Sequence, residues 1–166
     1  IRLLVDSLGS YSLTNKFLRP LAEAGVEYAE FNPVSLHRVR PRMTNFRSHR
    51  KIIVVDGVVG FTGGMNIADC HTPEVKGKDA WRDTHVRFEG AAVRALQRIF
   101  LEDWYFATEK LPPQGPSYLV PLTRSGEHFV QVVASGPDQD VFAIHKLYFG
   151  AITTARSTPA SVTAAH

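Results

Sequence analysis

A chain of 166 residues with 44% hydrophobic and 21% charged residues has the composition of a globular protein and can form one ordinary domain with a sizeable core. Its net charge of +3 is too small to indicate a nucleic-acid-binding protein, and its single cysteine, Cys70, excludes an internal disulfide. No apolar run approaches the roughly 20 residues that span a bilayer, and no signal peptide opens the chain. Because the first residue is Ile1 rather than Met, we expect a fragment.

The first 31 residues predict a strand, a helix and a second strand. Residues 1–6 and 26–31 have strand patterns, and apolar residues recur at helical spacing from Leu13 to Ala24. Pro20 is expected to kink this helix or restart it. Two strands joined through a helix favour a parallel pair with a crossover connection.

The segment between Phe31 and Val55 is basic and contains no Asp or Glu. Such a local excess of positive charge suits an anionic partner, which could be a phosphodiester, a lipid headgroup or nucleic acid. For residues 38–42 a solvated basic loop is an equal alternative. The basic residues of the segment are Arg38, Arg40, Arg42, Arg47, Arg50 and Lys51.

The chain is organised around residues 45–66, in which His49, Lys51 and Asp56 form the pattern His-x-Lys-x4-Asp, followed by Gly-Gly-x-Asn at residues 63–66. An unbroken β-branched run at residues 52–55 predicts a buried strand. Because residues two apart on a strand share a face, the side chains of His49 and Lys51 are predicted to point the same way.

Asp56 and Gly57 predict a two-residue hairpin turn, with residues 58–62 as the returning strand. We interpret Asp56 as a turn former or a buried hydrogen-bond acceptor more than as a catalyst. The rest of the chain predicts an irregular loop at residues 68–80, a strand at 84–88, a helix at 91–108, a Pro-rich linker at 110–127, a strand at 129–134 and a helix at 141–155. The first of these helices has one apolar stripe, formed by Val93, Leu96, Phe100 and Trp104. The second has candidate core residues at Phe142, Leu147, Phe149 and Ile152.

The combined motifs resemble the phospholipase D superfamily, whose His-Lys-Asp motif is followed by Gly-Gly/Ser-x-Asn. The neighbouring residues narrow the resemblance to bacterial cardiolipin synthases over about residues 1–156. These residues are Asn45-x-Arg47-x-His49, Trp81-Arg82-Asp83-Thr84-His85 and Asp103-Trp104.

The resemblance implies an α/β fold, with a mixed β-sheet flanked by α-helices, as one half of a phospholipase D-like protein. It implies a first such domain at residues 1–109, a linker at 110–127 and the start of a truncated second domain at 128–156. Residues 157–166 are expected to be disordered. Cardiolipin synthases carry two His-x-Lys motifs, whereas this chain has one.

The resemblance also implies the chemistry of the site. His49 would be the nucleophile that forms a phosphohistidine, with Asp83 on its far ring nitrogen and a second histidine from the other half as general acid. Lys51 and Asn66 would hold the phosphate oxygens. Gly64, which stands where many members carry Ser, would contribute its backbone N–H. Further candidates are Asn45 and Arg47 for phosphate binding and Asp56 as the third member of the motif, and neither a metal nor another cofactor is required.

The function implied is phosphatidyl transfer that makes cardiolipin at the bacterial cytoplasmic membrane, to which N-terminal segments outside this chain would anchor the protein. The expected partners are an anionic phospholipid such as phosphatidylglycerol, the membrane surface, and a second phospholipase D half or a second copy; nucleic acid is not expected. Two alternatives stay open: a phosphodiesterase or nuclease that acts as a homodimer, and an inactive half that binds phosphate.

Overall fold

The structure is a computed structural model that describes residues 1–33, 47–111, 126–136 and 142–156. These ranges contain a parallel sheet, an antiparallel sheet and helices, which confirms the predicted α/β class. The elements are β1 (Arg2–Asp6), α1 (Asn15–Glu23), β2 (Glu27–Phe31), β3 (Ile52–Val55), β4 (Val59–Gly63), α2 (Pro73–Lys76), β5 (His85–Glu89), α3 (Ala91–Thr108) and α4 (Ala143–Thr154).

The predicted parallel pair at the start of the chain is confirmed. β1 and β2 pair in parallel, with Arg2 opposite Glu27 and Asp6 opposite Phe31. α1 makes the crossover between them and runs as one helix through Pro20, so the expected restart does not occur. Both strands therefore end at the same edge of the sheet, where Asp6 and Phe31 lie side by side.

β3, β4 and β5 form a second, antiparallel sheet in which β4 is central. The turn between β3 and β4 has both Asp56 and Gly57 at positive φ, as the sequence predicts for a hairpin. Val55 nevertheless pairs with Val59, so Val58 is an additional unpaired residue of the loop. β3 is not the buried strand that its β-branched run predicts: Ile53 is 47% exposed. Its neighbour Val54 pairs with Gly60, on the face where α3 packs, so Ile53 lies on the opposite face.

The chain forms two compact units, and each unit is built from several separate segments of the sequence. Among the described residues, the first unit comprises 1–33, 47–49, 99–111 and residue 136, and the second comprises 50–98, 126–135 and 142–156. The apolar stripe predicted for α3 is confirmed, since its buried members serve the cores of both units. They are Val93 and Leu96 in the second unit and Trp104 in the first.

The core of each unit depends on a close contact of α3. In the second unit, a Cβ added to Gly60 on β4 would lie 3.0 Å from Leu96, so this glycine permits the close approach of helix and strand. In the first unit, the rings of Phe31 and Phe106 lie 5.1 Å apart, and the guanidinium of Arg2 lies over the ring of Trp104.

Three expectations for the later part of the chain are wrong. Residues 129–134 are described but form no strand. Residues 69–79 form two 3₁₀ turns and α2 rather than an irregular loop. The apolar residues expected in the core around α4 are exposed, since their spacing can predict an apolar face but cannot supply an element that covers it; they are Phe142, Leu147, Phe149 and Ile152.

Several expectations lie outside the described residues. They concern Asn45, the basic residues 38–42, most of the predicted linker and the tail at 157–166. The predicted domain boundaries after residues 109 and 127 also stay predictions.

Candidate active site

The histidine and lysine of the motif lie immediately before β3, not within it. β3 begins at Ile52, so His49 and Lys51 belong to the segment that leads into the strand. The strand therefore does not include either residue, and the predicted common direction of the two side chains stays a prediction. His49 is exposed, whereas Lys51 is half-buried. The imidazole is accordingly accessible from solvent.

Asp56, the last residue of the motif, lies in the turn at the opposite end of β3. It is exposed, has φ of 52°, and begins a turn that the Val58 N–H closes on the Val55 carbonyl at 3.0 Å. At the rise of a strand, roughly 15 Å of chain separate it from Lys51. The structure therefore does not bring Asp56 to Lys51, and its conformation fits the turn former that the sequence suggested.

β4 and β5 bring Gly64 against Asp83, which is possible because Gly64 has no side chain. Gly63 on β4 pairs with His85 on β5. Because the strands are antiparallel, Gly64, which follows Gly63, lies near Asp83, which precedes His85. A Cβ atom on Gly64 would overlap the Asp83 carboxylate. That carboxylate is held in place by the Thr84 N–H, which donates to Oδ1 of Asp83 at 2.8 Å.

The ammonium of Lys51 experiences two opposing influences on its pKa. Burial lowers the pKa of Lys51 from its ordinary value, because burial disfavours the charged form. The negative charge of Asp83 acts in the opposite direction and is the smaller effect. Asp83 is thus electrostatically coupled to Lys51, which the sequence analysis did not foresee.

The two phosphate-binding candidates after β4 differ in availability. The Gly64 N–H donates to the Thr84 carbonyl at 3.0 Å, so it could serve a phosphate only by giving up this bond. Asn66 lies three residues beyond the end of β4 and is exposed. Of the two, the Asn66 amide is the better placed to reach a ligand from solvent.

Arg47, the other described candidate for phosphate binding, contacts groups of the protein. Its Nη1 donates to the Asn32 carbonyl at 3.0 Å and lies 3.9 Å from Oδ1 of Asp6. Arg50 likewise donates to the Ser135 carbonyl at 3.1 Å. A role for Arg47 at a substrate phosphate stays a prediction.

Sequence analysis missed Asp6, which accepts hydrogen bonds on both carboxylate oxygens. Gly9 N–H donates to Oδ1 at 2.7 Å, and Ser48 N–H donates to Oδ2 at 3.2 Å. The available signal was an aspartate at the end of a strand with a glycine three residues later, a spacing typical of a side chain that caps its own loop. The bond to Ser48 has no local signal because 42 residues separate the partners.

The described residues contain no group of three or more His, Cys, Asp or Glu side chains that could hold a metal ion. Within the same ranges, no helix combines the length and the apolar character needed to cross a membrane.

The known proteins to which this chain is similar include cardiolipin synthases. The chain is 47% identical over 159 residues to a cardiolipin synthase of Geobacillus kaustophilus and 48% identical over 163 residues to that of Geobacillus thermodenitrificans. It is 41% identical over 160 residues to cardiolipin synthase 2 of Bacillus anthracis. These alignments cover 94–95% of the chain. The chain is similar to cardiolipin synthases along nearly its whole length.

This similarity confirms the resemblance inferred from the motifs. The chain spans about a third of the length of the curated relatives it matches, since the alignments cover 31% of each. No family model matches the chain, and no solved structure matches it.

We expect Gly64→Ala to destabilise the chain only through Asp83. The added methyl group would displace the carboxylate and break its bond to the Thr84 N–H, a loss of about 1 kcal/mol in the free energy of unfolding. Chemical denaturation of Gly64→Ala in the wild-type and Asp83→Ala backgrounds measures this, and the cost should vanish in the second background.

The matched control is Gly150→Ala in α4, where an added Cβ meets no atom within 4 Å. This variant should be neutral or more stable, because alanine favours a helix over glycine. An equal cost of Gly64→Ala in both Asp83 backgrounds would show that the contact between the two residues does not limit position 64.

Proposed function

We propose that the chain is the first catalytic half of a cardiolipin synthase, which transfers a phosphatidyl group between phospholipids through a phosphohistidine on His49. The observation that supports it best is sequence identity to cardiolipin synthases over nearly the whole chain, which includes the motif segment. An accessible His49, two positions before a half-buried Lys51, is consistent with a nucleophile beside a phosphate-binding cation.

In the first step, a ring nitrogen of His49 attacks the phosphorus of phosphatidylglycerol. The P–N bond forms while the bond from phosphorus to the oxygen of the glycerol headgroup breaks. The departing glycerol oxygen takes a proton from a general acid, for which we propose a second histidine outside this chain's motif. This division of one displacement into two is the usual purpose of a covalent intermediate.

In the second step, a headgroup hydroxyl of another phosphatidylglycerol attacks the same phosphorus. The histidine that gave up its proton now accepts the hydroxyl proton, a P–O bond forms and the P–N bond breaks. His49 is released for another cycle. Two phosphatidylglycerol molecules thereby give one cardiolipin and one glycerol, with no oxidant or reductant required.

The other proposed site residues bind the negatively charged phosphate or support the residues that do. Lys51 and the Asn66 amide bind its non-bridging oxygens, on which negative charge is concentrated during transfer. Asp83 orients His49 through the far ring nitrogen in this proposal, and its charge also opposes the lowering of the Lys51 pKa by burial. Asn45 and Arg47 are further candidates for phosphate contacts.

The partners follow from the substrate. Phosphatidylglycerol lies in a bilayer, so we propose that the site works at the surface of the bacterial cytoplasmic membrane. The general acid must come from a second phospholipase D half, either in the same protein or in a second copy. Neither a metal nor another cofactor enters these steps.

The decisive experiment supplies phosphatidylglycerol vesicles to the full-length protein that contains this chain. We expect equal amounts of cardiolipin and glycerol, quantified by mass spectrometry. Vesicles of phosphatidylethanolamine and phosphatidylglycerol together show whether a second headgroup can act as acceptor. Release of phosphatidic acid alone would point to hydrolysis rather than transfer.

The 166-residue chain by itself should be inactive as a monomer, because one motif supplies one histidine and the proposed reaction needs two. Its activity towards a generic phosphodiester is measured across dilutions, with sedimentation as the measure of association. Activity that rises with the dimer fraction would favour the homodimeric phosphodiesterase instead. Turnover proportional to monomer concentration would contradict the need for a second histidine.

A further inference from the structure

Asp6 connects three parts of the first unit at the point where β1 ends. Its two oxygens accept the N–H groups of Gly9 and Ser48, and its carboxylate lies 3.9 Å from Arg47. The side chain is only 13% exposed. A carboxylate that is nearly buried and holds two backbone donors is fixed in one position, since losing either bond would leave a polar group without a partner.

The bond to Ser48 fixes the residue directly before His49. Consecutive Cα atoms are about 3.8 Å apart, so a restraint on the Ser48 N–H limits where the backbone of His49 can lie. Asp6, Ser48 and His49 all belong to the first unit. The restraint therefore acts inside one compact unit.

Arg47 adds a second restraint on the same segment. It donates to the carbonyl of Asn32, the residue after β2, at 3.0 Å. Two consecutive residues of the motif segment are thus held at the carboxyl ends of β1 and β2, one through its backbone and one through its side chain. The carboxyl edge of parallel strands is where α/β proteins commonly place ligands.

We propose that Asp6 is a positioning residue for His49: it sets the backbone before the nucleophile and does not touch the substrate. This inference rests on the proposed role of His49 as nucleophile. It goes beyond that role because it assigns the accuracy of the attack to a residue 43 positions earlier in the chain. A displacement of about 1 Å at a reacting group can lower a rate by about 100-fold.

Asp6→Asn tests the inference in the full-length protein with phosphatidylglycerol vesicles. The amide keeps the shape of the side chain, but its NH₂ group cannot accept a backbone N–H and its charge no longer attracts Arg47. We expect kcat to fall about 10- to 100-fold, with KM within about twofold of wild type. The pH profile should keep its limbs, because Asp6 exchanges no proton with the substrate.

Glu23→Gln is the matched control in the same unit. It neutralises an exposed carboxylate that pairs with Arg19 within α1, and it should leave kcat, KM and the thermal midpoint unchanged. A residue needed only for folding would lower the yield or the thermal midpoint of Asp6→Asn, while kcat per folded molecule stayed at the wild-type value. That result would overturn the inference, as would a rise in KM alone or a shifted limb of the pH profile.

His49→Ala in the same assay separates the two proposals. If His49→Ala is inactive while Asp6→Asn turns over at the wild-type rate, the positioning inference is wrong and the proposed nucleophile stands. If His49→Ala keeps its turnover, the nucleophile assignment itself is wrong. Should Asp6→Asn fail to fold, Asp6→Glu retains the charge but is too long to keep both hydrogen bonds; wild-type kcat in folded Asp6→Glu would overturn the inference.

Discussion

His49→Ala should lower turnover of the full-length protein by roughly 10⁴-fold or more, the scale seen when an enzyme loses its nucleophile. Alanine has no atom that can bond to phosphorus, so the two-step route through a phosphohistidine is closed. The structure agrees with this role in one respect that matters, since the His49 side chain is exposed. Folding should be unaffected, because the substitution of an exposed side chain removes no core contact.

The covalent intermediate gives the sharper measurement. Enzyme mixed with phosphatidylglycerol labelled at phosphorus is quenched without acid, since a phosphohistidine is lost in acid, and the peptides are mapped. Label should appear on the peptide that contains His49 and should be absent from His49→Ala. His128→Ala, at an exposed histidine outside the motif, should label like wild type.

The location of the label also tests the assignment of roles. Label on a histidine outside this chain, with His49→Ala still able to form it, would make His49 the general acid. Asp6 would then position a proton donor rather than a nucleophile, and Asp6→Asn would slow the burst of labelling by impairing protonation of the departing glycerol. The same peptide map therefore bears on both proposals.

Local patterns predicted most of the fold. β1, α1, β2 and the β3–β4 hairpin follow from strand and helix periodicity and from one Asp-Gly turn, all of which act over a few residues. Of the four residues in the stripe predicted on α3, Val93, Leu96 and Trp104 are buried and Phe100 is half-buried. Burial of β3 was mispredicted because a β-branched run describes a strand but does not say whether another layer covers it.

For the candidate active site, the sequence predicted the residues but not their long-range contacts. Sequence order placed His49 beside Lys51, and the family motifs selected Asp83 and Asn66. The contacts of Asp6 with Ser48 and of Gly64 with Asp83 join residues that are distant in sequence, and no periodicity records such pairs. The two-residue spacing of His49 and Lys51 suggested a shared strand face. The strand, however, begins at Ile52, the residue after Lys51.

Asp83→Asn should lower turnover of the full-length protein by about 10²- to 10⁴-fold, the range expected when the carboxylate that orients a catalytic histidine becomes an amide. The variant should fold, because Asp83 is exposed and the amide oxygen can still accept the Thr84 N–H. Asp79→Asn, at an exposed carboxylate of the same unit, is the matched control and should keep wild-type turnover.

The pH profile of Asp83→Asn tests the coupling to Lys51 separately. Burial lowers the pKa of Lys51, and the charge of Asp83 opposes this effect. Without that charge the pKa of Lys51 falls further, so the protonated form that binds phosphate is lost at a lower pH. Since the proposed general-acid histidine ordinarily loses its proton at lower pH than a lysine, loss of the Lys51 proton gives a second, more alkaline fall in kcat/KM. This second fall should move to lower pH in Asp83→Asn and stay in place in Asp79→Asn. An unmoved second fall in Asp83→Asn, together with reduced turnover, would confine Asp83 to the orientation of His49.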